Sequence, residues 1–304
     1  MCIINYQCTY GAGLIMKITK YPIRKRTKVA IAALTIVIAF VLGIFIAVRI
    51  TEFAPVYTPE YERLDLEAYF DGVKGELTEE NYEALFRQTG LGKDAIDSVI
   101  GASGNAAASL LEYQDNFFNP AEYEIYKGGI VTREEHFSGD DGKYGYGFGI
   151  ADVKDGDIVL TKSPHTLGWR HGHAGIVIDA EKGKTLEAVF MGTPTAIQNL
   201  SKWRTYPTFI QLRPKDKETG AAAAAIAADN FTEVPYSLFS GLFSEYNESR
   251  PDTQCAHLPW YAYYKLGYDI DGNGIWPVTP KDVAGSEYLE IVQIFGVDPD
   301  APWK

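Results

Sequence analysis

Ala174-Gly175-Ile176-Val177-Ile178-Asp179, a turn on Glu181-Lys182-Gly183-Lys184, then Thr185-Leu186-Glu187-Ala188-Val189-Phe190: this stretch decides the fold class. Two short runs rich in β-branched and apolar residues, separated by a polar turn with a glycine, read as a β-hairpin. The same texture continues on both sides. Asp157-Ile158-Val159-Leu160-Thr161-Lys162 follows the turn Asp155-Gly156, Thr208 to Arg213 reads as another strand, and Tyr288 to Phe295 as a last one. Helical patterns lie between them. Residues 219–230 carry five consecutive alanines, strong helix formers, and Cys255 to Leu266 makes a second helix that Gly267 stops. Hairpin strands with helices gathered at one end give an α+β domain with an antiparallel sheet and packed helices.

Towards the N-terminus the pattern turns helical. Thr78 is a natural N-cap with Glu79 and Glu80 well placed in the first turn, and Tyr82, Leu85 and Phe86 keep helical spacing up to Gly90. Further helices are expected from Lys93 to about Ile100 and from Ala106 to about Tyr113. Residues 51–70, rich in Pro, Tyr and Glu, read as a short stalk, and the glycine-rich run 138–149 as a connection. The chain thus divides into a basic N-terminus (1–28), an apolar segment (29–49), a stalk with a helical subdomain (50–137) and a sheet-bearing domain (138–304).

Val29 to Val48 is an apolar run interrupted only by Thr35 and Gly43, long enough at 1.5 Å per residue to cross the roughly 30 Å hydrocarbon layer. Arg24, Lys25, Arg26 and Lys28 precede it, so the positive-inside rule predicts a cytoplasmic N-terminus and a single-pass chain with its domain on the extracytoplasmic side of the cell membrane. A cleaved signal peptide would show a shorter run and a small-residue cleavage site. The run here leads into Arg49-Ile50-Thr51-Glu52-Phe53, which favours an uncleaved anchor. Met16-Lys17-Ile18-Thr19-Lys20 resembles a bacterial start, so residues 1–15 are expected to belong to an over-extended reading frame. The first fifty residues hold seven Lys or Arg and no acid. The remainder therefore has 21 basic against 40 acidic residues, a net charge of −19, which argues against a nucleic-acid partner.

Beyond the anchor there is one cysteine, Cys255, and an unpaired cysteine in an exported domain points to reactivity. Cys255 opens a predicted helix, where the positive end of the macrodipole favours the thiolate and backbone N–H groups are free for an oxyanion. The competing reading is an inert buried thiol. His171 and His173, in Trp169-Arg170-His171-Gly172-His173-Ala174-Gly175, stand at the mouth of a strand, with His173 flanked by small residues. Glu187 lies between apolar neighbours on the next strand, where a carboxylate needs a partner, and an imidazolium serves. The turn lies slightly late for placing Glu187 directly across from His173, so the pairing requires a bulge or a diagonal reach. A zinc site on His165, His171 and His173 is the alternative, though no further Cys or His completes it. Tyr236, Phe239, Phe243, Tyr246 and Trp260 either line a cleft or pack in the core. Asp269-Ile270-Asp271-Gly272-Asn273-Gly274 starts like a calcium loop, but Pro280 stands where its last ligand belongs, and a tight turn is the better reading. Gly145-Tyr146-Gly147-Phe148-Gly149 follows no strand-to-helix pattern, so it is not read as a nucleotide site, and no cofactor or metal is expected.

The succession Gly156-Asp157-Ile158-Val159, Gly172-His173-Ala174-Gly175-Ile176-Val177, Leu186-Glu187-Ala188-Val189, Trp203, Val234-Pro235-Tyr236, Gln254-Cys255-Ala256-His257-Leu258 and Val278-Thr279-Pro280-Lys281-Asp282 resembles the bacterial permuted papain-like amidases of the YiiX/YaeF type, over about residues 150–285. The resemblance implies a circularly permuted papain-like fold related to NlpC-type cell-wall hydrolases, with Cys255 as nucleophile, His173 as general base and Glu187 as orienting acid. Tyr236, Gln254 and His257, within the matching motifs, are expected to bind substrate. Ala256-His257 departs from the small polar residue and Glu usual in that group, and Gln254-Cys255-Ala256-His257 is closer to the Asn-Cys-Glu-His run of the lecithin:retinol acyltransferase-like branch. The expected activity is hydrolysis of an amide or ester, with cell-wall peptide the most reachable substrate. Acyl hydrolysis or transfer on lipid, and a non-catalytic binding domain, are the alternatives.

Overall fold

A computed structural model describes residues 25–52, 56–69, 77–102, 104–127, 131–140, 143–167, 169–242 and 251–303. The first element, α1 (Lys25–Glu52), leaves its apolar side chains exposed. Its segment Lys25–Ile46 has a mean hydropathy of 3.0 and is by length and composition able to cross a membrane. Cys2, Cys8, the proposed start at Met16, Phe243 and Tyr246 lie outside the described residues.

Residues 56–69, read from the sequence as stalk, lie along the body instead. The Tyr57 N–H bonds the Gly296 carbonyl at 3.1 Å, Gln88 and Gln114 hold the backbone of Leu64, and Leu66 is fully buried. Three helices follow, α2 (Glu79–Thr89), α3 (Lys93–Ala102) and α4 (Ala106–Phe118). Thr78 caps α2 reciprocally: its hydroxyl accepts from the Asn81 N–H, and Asn81 accepts from the Thr78 N–H. Gly90 ends α2 at φ 72°, a conformation that costs glycine least. α4 runs past Tyr113 to Phe118, because Gln114 and Phe117 find buried positions there.

Two strands the sequence did not announce come next, β1 (Tyr123–Lys127) and β2 (Thr132–Phe137). Charged Glu124, Arg133, Glu134 and Glu135 mask their alternation. β3 (Ile158–Thr161) is followed by the short β4 (His165–Thr166), and the order β1-β2-β4 makes a small sheet that crosses the boundary drawn at residue 138. The hairpin forms as expected from β5 (His173–Asp179) and β6 (Lys184–Glu187), although β6 stops before Ala188. Then come β7 (Ala196–Asn199), a 3-10 turn at Leu200–Thr205, β8 (Phe209–Pro214), α5 (Thr219–Phe231), α6 (His257–Tyr264), α7 (Pro280–Ala284) and β9 (Leu289–Phe295).

The main sheet is antiparallel, in the order β7-β6-β5-β3-β8-β9. Alternate residues serve opposite faces. Ile158, Leu160, Ala174, Ile176, Ile210 and Leu212 pack in one cluster with Ala223, Ala227 and Phe231 of α5 and Leu258 and Ala262 of α6. Val159, Val177 and Phe209 pack in another with Trp203, Tyr206, Phe137 and Phe148. Burial on both sides explains why these strands read as continuous apolar runs; each buried Ile or Leu contributes about 1.5–3 kcal/mol. The outer edge of β9 is occupied by the residues after α2: Ile294 donates to the Gly90 carbonyl at 2.7 Å, and Gly92 to Val292 at 2.8 Å. Arg213, 2% exposed, is clamped by Asp157 and Asp152 at 2.8 and 2.5 Å and reaches Asp94 of α3.

One feature of the register governs the site. Phe295 pairs with Phe209, Ile210 with Leu160, Thr161 with His173, and Ile176 with Leu186. The last residue of β9, the first of β8, the last of β3, the first of β5 and the last of β6 therefore share one end of the sheet.

Candidate active site

His173 is the first residue of β5 and Glu187 the last of β6. Because Ile176 faces Leu186, the residue opposite Glu187 is Gly175, and the carboxylate reaches His173 diagonally. A bulge between Val177 and Asp179 absorbs the turn's late position, so the bulge and the diagonal reach are both present. Gly175 makes the reach possible. A Cβ there would lie 3.0 Å from Glu187 Cγ and 2.9 Å from the Trp203 ring, so the missing side chain is the space the carboxylate crosses.

The pair is short and dry. His173 Nε2 and Glu187 Oε2 are 2.8 Å apart, with the histidine 5% and the glutamate 0% exposed. Three more donors converge on Glu187: Lys202 Nζ at 2.6 Å, Trp203 Nε1 at 2.9 Å and the Thr185 hydroxyl at 2.7 Å. The Trp203 ring also stacks on the imidazole, 5.4 Å between centroids and 5° from parallel. A buried carboxylate so fully satisfied is a fixed anion that sets the orientation of the imidazole. Burial would raise the Glu187 carboxyl, but the bond with His173 and the Lys202 charge outweigh it and hold it at about 2.

Cys255 stands in the turn before α6, two residues ahead of its first residue His257, and is partly exposed. With Nε2 engaged by Glu187, Nδ1 is the ring nitrogen left for the sulfur. Burial would lower the His173 proton affinity; interaction with the Cys255 sulfur and then with Glu187 outweighs it and pushes the ring up to about 9. Gln254, 6% exposed, fixes the turn: its Nε2 donates to the Val278 carbonyl at 2.7 Å, and its Oε1 accepts from the Ala256 N–H at 2.8 Å and from the Cys255 thiol at 3.5 Å.

The three residues expected to bind substrate fall in different places. Tyr236 is half-buried beside the sulfur, and burial, then the charge of Cys255, push its hydroxyl up. Gln254 shapes the turn that carries Cys255. His257 is 1% exposed and packs into the core, its Nδ1 2.9 Å from the Thr253 hydroxyl and its ring under Gly241. Trp260 is also buried, whereas Phe239 is exposed and stacks on Trp276. Lys202 and Thr185 were not singled out from the sequence. The signal for Thr185 was present, since it lies two residues before Glu187 on the same face of β6.

The other histidines are engaged separately. His165 Nδ1 lies 3.0 Å from the Ser163 carbonyl, and His171 bonds the Gly172 carbonyl and the Thr166 hydroxyl. Among the described residues no group of three His, Cys, Asp or Glu is arranged to hold a metal. Asp269 to Asn273 forms a turn in which Asp269 and Asp271 accept backbone N–H bonds two residues on. Scans of the sequence against protein-family models and curated proteins, and of the fold against solved structures, find no match.

Proposed function

We propose that this chain is a cysteine hydrolase, held to a membrane by α1, that cleaves an amide or ester through an acyl-enzyme on Cys255. The observation that carries the reading is one imidazole shared by two partners: Glu187 at 2.8 Å on Nε2, and the Cys255 sulfur raising its proton affinity. His173 takes the Cys255 thiol proton, and the sulfur attacks the substrate carbonyl carbon and pushes the carbonyl electrons onto oxygen. The Ala256 N–H is already spent on Gln254, so the Cys255 N–H is the backbone donor nearest that oxyanion. Collapse expels the amine or alcohol, which takes the His173 proton and leaves a thioester. Water then attacks the thioester, His173 removes its proton, and the carboxylic acid departs with the thiol–imidazole pair restored.

The order His173, Glu187, Cys255 and the surrounding motifs support kinship with permuted papain-like amidases. Lys25, Arg26 and Lys28 at the start of α1 support an outward-facing body, for which cell-wall peptide is the amide within reach. Acyl hydrolysis on lipid is the second reading, favoured by the exposed apolar side chains around the site. The test uses the full chain in detergent. Iodoacetamide labelling of Cys255, followed by peptide mass, is expected to be fast near neutral pH and at least tenfold slower in His173→Ala. Muropeptide hydrolysis is expected to vanish in Cys255→Ala. Equal labelling in the two proteins would sink the thiol–imidazole pair and leave a binding domain.

A further inference from the structure

We infer that the end of the sheet bearing His173 is a membrane-docking face, resting on the bilayer that α1 crosses. The inference depends on α1 as an anchor, and two independent observations carry it.

The first is where the anchor meets the body. Only residues 53–55 separate Glu52, the end of α1, from Val56, so the join spans at most about 15 Å. Val56 packs on Gly296, and Tyr57 bonds the Gly296 carbonyl. Gly296 directly follows β9, at the end of the sheet that carries His173. From β9 across β8 and β3 to β5 is three strand spacings, about 14 Å. α1 therefore joins the body beside the site, not at its far end.

The second is the chemistry of the surface there. Trp169 (61% exposed), on the loop before β5, and Phe190 and Met191 (49% and 56%), on the loop after β6, project at this end. Residues 194 and 195 bridge to Pro235 and Val234, which connects that loop to the segment containing Phe239 (67%). Phe239 stacks on Trp276, next to Ile275 (68%), and Tyr236 bridges to Thr253 beside Cys255. Large apolar and aromatic side chains are thus exposed on the loops before β5 and after β6 and on the linked segments that carry Phe239, Ile275 and Trp276, which is the composition of an interfacial belt. The body's charge of −19 opposes anionic headgroups, so docking proceeds by apolar insertion and is insensitive to salt.

The full chain reconstituted in phosphatidylcholine vesicles tests this. α1 contains none of the five tryptophans, so quenching by phosphatidylcholine brominated high on its acyl chains reports on the body alone. Emission is expected to fall by roughly the share of two tryptophans in five, with no change in high salt and no gain from added anionic lipid. The fall should disappear in the doubly substituted Trp169→Phe, Trp276→Phe chain and shrink in Phe190→Asp. Unquenched wild-type protein, or equal quenching in the doubly substituted chain, overturns docking while leaving the anchor intact. Release of the chain from the vesicles by alkaline carbonate overturns the anchor and docking together.

Discussion

Glu187→Gln tests the centre of the site with the least change of shape. The amide retains an oxygen for Trp203 Nε1 and the Thr185 hydroxyl, at 2.9 and 2.7 Å in the native site. It turns an NH2 group towards Lys202 Nζ and His173 Nε2, now 2.6 and 2.8 Å from an anion. Two charge-assisted bonds become donor-to-donor contacts, and Lys202 loses its counter-charge; breaking a buried pair in this way costs about 3–5 kcal/mol of stability. The effect on chemistry is separable. Without Glu187, burial works against the imidazolium and only the sulfur supports it, so the His173 value falls from about 9 towards its ordinary 6.5. Each pH unit of that fall is worth about 1.4 kcal/mol, a factor of ten in the protonated fraction above the new value. The assay is the pH dependence of Cys255 alkylation between pH 5 and 10, read by peptide mass, with folding checked by circular dichroism. The alkylation rate near pH 7 is expected to fall at least about tenfold, because a His173 one pH unit less basic takes the thiol proton about tenfold less often. A folded variant whose profile overlays the wild type would refute the coupling of Glu187 to His173.

Three further outcomes follow from the same contacts. Gly175→Ala places a methyl 2.9 Å from the Trp203 ring and 3.0 Å from Glu187 Cγ, so thermal unfolding should show about 1–3 kcal/mol lost and alkylation should slow as the carboxylate is displaced. Denaturant titrations across pH should show the contribution of Glu187, ordinarily 4.5 and here about 2, present above about 4.5 and lost as the pH falls towards 2. The contribution of His173, ordinarily 6.5 and here about 9, should be complete below about 6.5 and lost as the pH rises through 9. Arg213→Met leaves the buried Asp157 without its cation and removes one partner of the partly buried Asp152, and a loss of about 3–5 kcal/mol in urea unfolding is expected.

Much of this arrangement was legible from the chain because local chemistry and tertiary structure agree there. The hairpin around Lys182-Gly183, the cap at Thr78, the stop at Gly90 and the alanine-rich α5 each have a local cause strong enough to survive packing. Cys255 stood out as the one cysteine beyond the apolar segment, at a predicted helix start, and His173 and Glu187 stood out by their places on two adjacent predicted strands within the quoted motifs. Other features were hidden for physical reasons. β1 and β2 are charged, because their sheet is small and partly open to solvent, so the apolar alternation that marks a strand is absent. Residues 56–69 are polar enough to suggest a stalk, yet their hold on the body comes from backbone bonds to Gln88 and Gln114, which sequence pattern does not reveal. No local pattern in the sequence marks Lys202. What makes it part of the site is the 3-10 turn, which brings Lys202 and Trp203 together onto one carboxylate.

The bonds from Gly90 and Gly92 to β9 have a practical consequence. An open β-strand recruits other strands, and β9 would be such a strand if the helices before it were cut away. A fragment beginning at residue 138 would keep all three residues of the site yet expose that row of unpaired amides, and it would also remove the β1–β2 partner of β4. Such a fragment is expected to clump on expression, whereas one beginning at Val56 keeps its flank sealed. The smallest piece of this protein worth purifying therefore starts where the apolar helix α1 ends.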